Sequence, residues 1–147
     1  MRELRTEIEI AAPLQDVWNI LTDFDHWKDW NPIVNQVNGT ASSGSKLDVT
    51  MRGKDGKDGV HYKPIIKEID APKSFRWRGV MMAEFLFTND KQVELEKTTS
   101  GTRVVHRELF GGALVPLFWN KLNENTRPML ESMNKALKSK AEAQSGK

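Results

Sequence analysis

The chain has 147 residues, of which 38% are hydrophobic and 29% charged, a composition typical of one globular domain. It contains no cysteine, which excludes disulfides, thiolate metal sites and cysteine nucleophiles. Its 22 basic and 20 acidic residues leave a formal charge of only +2, so we expect no nucleic-acid partner.

The sequence shows no apolar run near the roughly 20 residues that a membrane-spanning helix needs. The start, MRELRTEIEI, alternates charged and aliphatic side chains, whereas a secretion signal has a continuous apolar core. We therefore expect a cytoplasmic protein that does not span a membrane.

The first elements are a strand and a short helix. Residues 3–10 alternate polar and aliphatic side chains, the period of a strand with one buried face. After Pro13, the residues Leu14, Val17, Trp18 and Leu21 recur at helical spacing. This spacing predicts an amphipathic helix.

The next stretch, FDHWKDWNPIV, places three aromatic residues at intervals of three. Phe24, Trp27 and Trp30 follow the repeat of a 3₁₀ helix, and the Asn31-Pro32 step ends it. We expect the two tryptophans to anchor this turn by packing, in preference to forming a ligand or catalytic site.

The middle of the chain predicts strands and turns. Two Asp-Gly steps in residues 54–59 are typical of a hairpin tip. The predicted strands are residues 34–39, 47–51, 60–69, 74–79, 83–97 and 102–110.

The loop TTSG at residues 98–101 predicts the register of the last two strands. If Lys97 faces Thr102, paired residue numbers sum to 199, and Glu96 opposes Arg103 on a solvent-exposed face. The opposite face should point inward and carries Phe85, Phe87, Val93, Leu95, Val104, His106, Glu108 and Phe110.

After Gly111-Gly112, apolar residues at helical spacing predict a long C-terminal helix. The stripe consists of Phe118, Leu122, Met129, Met133 and Leu137. Residues 142–147 read as a frayed tail, which places the single domain at residues 1–141.

Three stretches resemble the SRPBCC superfamily, also called START-like or birch-pollen-allergen-like, and in particular its polyketide cyclase/dehydrase or lipid-transport-like family. They are IEIAAPLQDVWNILTDFDHWKDWNPIV, GTRVVHRELFGG and LNENTRPMLESMNKALKSKAE. The resemblance implies an α+β helix-grip fold. In it, a curved antiparallel sheet of about six to seven strands wraps a long C-terminal helix, and two short helices follow strand one.

The same resemblance implies a cavity between sheet and helix that is open to apolar ligands. The residue pattern supplies candidate walls for it: Val49, Met51, Trp77, Phe85, Phe87, Val104, Trp119, Leu122, Met129 and Met133. Flexible, polarizable methionines suit such a pocket, and they also suit an ordinary core.

His106 and Glu108 are the candidate catalytic residues. Residues two apart on a strand point to the same side, about 7 Å apart. A histidine and a desolvated carboxylate can share proton transfer in an aldol-type cyclisation or a dehydration. The alternative is that Glu108 pairs with Lys91 and that His106 is a hydrogen-bonded wall residue.

No metal or cofactor site is indicated. His26, His61 and His106 lie far apart on different predicted elements, whereas a zinc site needs closely spaced ligands. Gly111-Gly112 lacks the lysine and hydroxyl of a phosphate-binding loop.

Three classes of function stay open, for a chain expected to be a monomer or homodimer. The first is binding of a hydrophobic small molecule, such as a lipid, polyketide or aromatic metabolite, in the cavity. The second is a cofactor-free cyclase or dehydrase that uses His106 and Glu108. The third is a protein-interaction or chaperone-activator module, which needs an exposed apolar patch.

Overall fold

The computed structural model describes residues 1–145. The strands are β1 (Arg2–Ile10), β2 (Val34–Asn38), β3 (Asp48–Arg52), β4 (Asp58–Tyr62), β5 (Ile65–Asp70), β6 (Ser74–Val80), β7 (Thr88–Lys97) and β8 (Thr102–Gly111). The helices are α1 (Leu14–Thr22), a 3₁₀ helix (Phe24–Asp29) and α2 (Val115–Ser145). This is the α+β architecture that the sequence predicts.

The strands form two antiparallel sheets. The larger has the order β1-β8-β7-β6-β5 and the smaller has the order β2-β3-β4. Backbone bonds link them, because Leu47 N–H donates to the Pro64 carbonyl and Ile66 N–H donates to the Ser45 carbonyl. The result is the curved surface of a helix-grip fold, with eight strands in place of the six to seven expected.

The predicted register of β7 and β8 is confirmed. Lys97 pairs with Thr102 and Thr88 pairs with Gly111, so the sum of 199 holds along both strands. On the outer face, Arg103 lies 3.5 Å from Glu96, and Arg107 lies 3.5 Å from Glu94. Val93, Val104 and His106 are buried on the inner face.

Two strand predictions were wrong in their extent. The strand predicted at 60–69 is divided into β4 and β5 at Lys63-Pro64, since proline has no N–H for a ladder. The strand predicted at 83–97 begins only at Thr88. Residues before it form a turn in which Leu86 N–H and Phe87 N–H both donate to the Ala83 carbonyl.

The 3₁₀ helix is anchored by aromatic packing, as its spacing predicts. Trp27 is fully buried, and its indole N–H donates to the Leu21 carbonyl at 3.1 Å. Its ring meets Phe24 and Trp77 at centroid distances of 5.3 and 5.7 Å. Trp30 is half-buried against Trp27.

Helix α2 packs over β1 and β8 and buries Leu130, Met133 and Leu137. It continues through Ser145, so the tail predicted from residue 142 was wrong for residues 142–145. The Glu142 carboxylate accepts a bond from Ala11 N–H, which ties this last turn to the end of β1. Residues 146 and 147 lie outside the described residues. Within residues 1–145, no helix is long and apolar enough to cross a membrane.

Candidate functional site

A cavity of about 540 Å³ lies between the sheets and α2. Its mouth is formed by the exposed side chains of Val60, Val80, Met81 and Met82. Its deeper wall includes Trp27, Val49, Met51, Tyr62, Trp77, Phe87, Asn89, Lys91, Glu108, Phe110, Thr126, Met129 and Leu130. The volume is within the range of small-molecule sites, and most of the wall is apolar.

The structure brings together six of the residues that the sequence proposes for the site. They are Val49, Met51, Trp77, Phe87, Met129 and Glu108. They come from three strands, the turn before β7 and α2, so the cavity is a product of the tertiary fold.

The other six residues do not line the cavity, and their placement corrects the predicted wall. Phe85 is 73% exposed, because it lies in the turn that precedes β7. Val104 and Met133 fill the main core, while Trp119 and Leu122 pack in a second cluster around Phe110. His106 is also absent from the lining.

Lys91 and Glu108 form an ion pair in the cavity wall. They face each other across β7 and β8, and Lys91 Nζ lies 3.0 Å from Glu108 Oε1. Asn89 donates to the second carboxylate oxygen at 2.9 Å. Both charged side chains are more than nine-tenths buried. Because their charges are opposite, the pair makes this wall polar without giving it a net charge. The pairing of Glu108 with Lys91 that the register suggests is confirmed.

His106 is held neutral behind this pair. Lys91 Nζ lies 2.6 Å from His106 Nε2, and an ammonium offers only donors, so Nε2 accepts. The proton therefore sits on Nδ1, which donates to Asn134 Oδ1 at 3.1 Å. Burial, reinforced by the charge of Lys91, holds the pKa of His106 well below its ordinary value.

The hydrogen bonds continue from Asn134 to β1. Asn134 Nδ2 donates to Thr6 Oγ1 at 2.8 Å, and the Thr6 hydroxyl donates to the His106 carbonyl at 3.1 Å. Both ring nitrogens of His106 are therefore occupied by protein groups, Nε2 by Lys91 and Nδ1 by Asn134. The arrangement locks the imidazole in one tautomer and joins α2 to the sheet.

Two further residues of the lining, Tyr62 and Trp77, carry polar groups without charge. Burial, and then the negative charge of Glu108, raise the pKa of Tyr62, which keeps its phenol protonated. Trp77 is 1% exposed, and its indole nitrogen has no hydrogen-bond partner among residues 1–145.

Sequence reasoning missed Tyr62, Asn89 and Trp27 as wall residues, and it named Lys91 only as the alternative partner of Glu108. Lys91 and Asn89 were detectable, because the register places them on the inward face beside Glu108 and Phe110. Tyr62 and Trp27 gave no such signal, since they reach the cavity through the packing of the small sheet and the 3₁₀ helix. Residues 1–145 contain no group of three or more histidine or acidic side chains that could hold a metal ion.

Several solved structures share this fold. The di-domain ARO/CYC protein StfQ from the steffimycin biosynthetic pathway superposes with a TM-score of 0.80 at 13% identity over 99% of this chain. The chain spans about half of StfQ, since the match covers 52% of that protein.

Two single-domain matches cover nearly the whole of both chains. The protein TTHA0849 from Thermus thermophilus gives a TM-score of 0.77 at 20% identity, with 98% of this chain and 99% of that one covered. A point mutant of norcoclaurine synthase from Thalictrum flavum, in complex with a transition-state analogue, gives a TM-score of 0.73 at 16% identity. That match covers 97% of this chain and 95% of the synthase chain. At these identities the matches establish the fold.

No curated protein matches the chain at a significant level. The family model described as polyketide cyclase / dehydrase and lipid transport matches residues 1–142, nearly the full length. The predicted membership is therefore confirmed, and the chain belongs to the polyketide cyclase / dehydrase and lipid transport family of SRPBCC proteins.

Proposed function

We propose that this protein binds a hydrophobic small molecule in the cavity between its sheets and α2. The observation that carries the proposal is the cavity itself, about 540 Å³ in volume, with an apolar wall and one buried ion pair. Such a site combines apolar burial for affinity with few polar groups for orientation. Lipids, polyketides and aromatic metabolites are the ligand classes that this chemistry suits.

The mouth provides a route into the cavity. Met81 and Met82 line it and are 50% and 83% exposed, and Val60, on the small sheet, is 55% exposed. Methionine side chains are flexible and accommodate ligands of different shape. Exposed apolar side chains at an opening are the feature expected where an apolar ligand enters.

Binding ranks ahead of the cyclase or dehydrase reaction because of His106. That reaction, as predicted, needs both His106 and Glu108 at the substrate. His106 is outside the lining, and its Nε2 accepts from Lys91, so only Glu108 of the two faces the cavity. The protein-interaction function ranks third, since entry to the cavity explains the exposed residues at the mouth and leaves Phe85, Leu117 and Phe118 as the exposed apolar side chains that this function would use.

Native mass spectrometry of the protein, purified without detergent from cells that produce it, tests the proposal. We expect a reproducible additional mass of a small molecule. Met129→Trp should abolish this mass by filling the cavity from α2, whereas Ser132→Trp places the same ring on the exposed side of the helix and should retain it. A spectrum without bound mass, together with no saturable binding of the apolar dye 1-aminoanthracene, would overturn the proposal.

A further inference from the structure

The lining of the cavity carries one positive charge that no protein group balances. Its lysine and acidic residues are Lys63, Lys91 and Glu108. Lys91 and Glu108 pair at 3.0 Å, so their charges cancel. His61 also borders the cavity, but its ring lies 2.5 Å from the Asp48 carboxylate. Lys63, in contrast, has no ion-pair partner among residues 1–145.

Lys63 belongs to the outer part of the cavity. It directly follows β4, the strand that carries the mouth residue Val60, and it is exposed. Lys91 and Glu108 are more than nine-tenths buried. The charges of the lining are therefore divided between a buried pair and a single cation in contact with solvent.

This division favours one orientation of an amphipathic anion. A carboxylate beside the exposed Lys63 keeps part of its hydration, whereas a buried charge loses it at a high cost. At the buried pair, a ligand carboxylate would also meet a cation that already has a counter-ion. The apolar part of the ligand gains free energy by entering the mostly apolar cavity. Long charged side chains follow the same rule when they bury their stems and keep their charged heads in water.

We infer that Lys63 forms a subsite for the carboxylate of an amphipathic ligand, which enters the cavity with its apolar end first. The ligand class is then an apolar acid with one terminal carboxylate. This inference rests on the proposed function, because it assigns the ligand class of the same cavity.

Three molecules with one chain and three charges test the subsite: decanoate, 1-decanol and decylamine. Their dissociation constants are measured by displacement of 1-aminoanthracene at neutral pH. Lys63→Glu replaces an attraction by a repulsion, and one exposed ion pair changes affinity by about twofold to fivefold. We therefore expect Lys63→Glu to weaken decanoate binding by about fourfold or more, to strengthen decylamine binding by about twofold or more, and to change 1-decanol binding by less than about twofold. An unchanged ratio of decanoate to decylamine affinity would overturn the inference.

Lys67→Glu is the matched control. Lys67 is exposed on β5 and lies outside the lining, and its substitution changes the net charge of the protein by the same amount. It should change the affinity of each compound by less than about twofold, because solvent and salt screen a charge away from the mouth. An effect of Lys67→Glu on decanoate as large as that of Lys63→Glu would show a response to net charge alone and would overturn the subsite.

A second variant keeps the inference testable if Lys63→Glu does not fold. Lys63→Met removes the charge, keeps an unbranched side chain and should weaken decanoate binding by about twofold to fivefold relative to 1-decanol. Raising the ionic strength from about 0.05 M to about 0.5 M should reduce the same ratio in the unmodified protein, since salt screens exposed charges. A ratio that responds neither to Lys63→Met nor to salt would contradict the subsite.

The two proposals fail in different ways. If neither the dye nor any of the three compounds binds saturably, the proposed function fails along with the subsite. If all three compounds bind and Lys63→Glu leaves their relative affinities unchanged, binding in the cavity stands and only the carboxylate subsite fails.

Discussion

Replacing Lys91 with methionine should destabilise the protein severely. The side chains of Lys91 and Glu108 are 4% and 8% exposed, with 3.0 Å between Nζ and Oε1. At an effective dielectric constant of about 20, their attraction at that distance is roughly 5 kcal/mol. Lys91→Met removes it and leaves the Glu108 carboxylate buried with only Asn89 as a partner. Breaking such a pair typically costs about 3 to 5 kcal/mol.

Urea unfolding followed by tryptophan fluorescence measures this cost. With an m-value of about 1.5 kcal/mol per M, the transition midpoint should fall by roughly 2 to 3 M. Lys97→Met, an exposed position on the same strand, should change the free energy of unfolding by less than about 0.5 kcal/mol.

A double variant separates the charge from the packing. Lys91→Met with Glu108→Gln removes both charges, so it should recover about half or more of the stability that Lys91→Met loses. A loss below about 1 kcal/mol in Lys91→Met, or no recovery in the double variant, would refute the assignment of a buried, mutually dependent pair.

Three further predictions concern the packing, the histidine and the mouth. Trp27→Ala should lower the Tm by roughly 10 °C or more, because Trp27 is fully buried. Trp30→Ala should lower it by less, because Trp30 is half-buried. Calorimetry that shows the reverse order would contradict this packing. The folded protein keeps His106 neutral, whereas in the unfolded chain this histidine takes up a proton below pH about 6.5. The free energy of unfolding should therefore fall as the pH drops below about 6.5, by at most about 1.4 kcal/mol per pH unit. Urea titrations at several pH values should show a smaller slope in His106→Gln, and an equal slope would contradict the assignment. Met82 has a φ of 69°, a left-handed conformation that glycine adopts more easily than alanine. In urea unfolding, Met82→Gly should therefore be more stable than Met82→Ala by about 0.5 to 1 kcal/mol, although glycine loses more conformational entropy on folding than alanine does. The opposite order would argue against this backbone conformation.

The register of the sheet was predictable because local rules determine it. The four-residue loop between β7 and β8, together with the charges of Glu96 and Arg103, allows only one alignment that keeps arginine out of the core. The aromatic spacing of Phe24, Trp27 and Trp30 similarly predicts the 3₁₀ helix. Both predictions depend on residues that are close together in sequence, so the pattern of one sequence is enough to make them.

The start of β7 was not predictable from alternation. Phe85 and Phe87 continue the period of the strand, but the chain turns at Met82 in a left-handed conformation, and Ala113 N–H donates to the Phe85 carbonyl. That contact joins residues far apart in sequence. A turn held by such tertiary bonds leaves no local pattern, so Phe85 was wrongly assigned to the cavity wall.

The cavity itself depends on where space is left between packed elements. Val49, Val104 and Met133 belong to one core cluster and Met129 packs against it, yet only Val49 and Met129 of these four also border the cavity. Alternation reports which face a side chain takes and carries no information on the distance to the opposite layer. The inward position of Lys91 was predictable, whereas its contact with His106 required the positions of both strands and of α2.

The indole signals of the five tryptophans give the most direct test of ligand binding in the cavity. A ¹H–¹⁵N correlation spectrum, assigned with single Trp→Phe variants, is recorded during titration with 2-acetylnaphthalene. Occupation of the cavity predicts saturable shifts at Trp77 and Trp27, which line it, and a smaller shift at Trp119, which is outside the lining and packs on the lining residue Phe110. Shifts at Trp119 without shifts at Trp77, or no saturable shift at any indole, would contradict the cavity as the binding site.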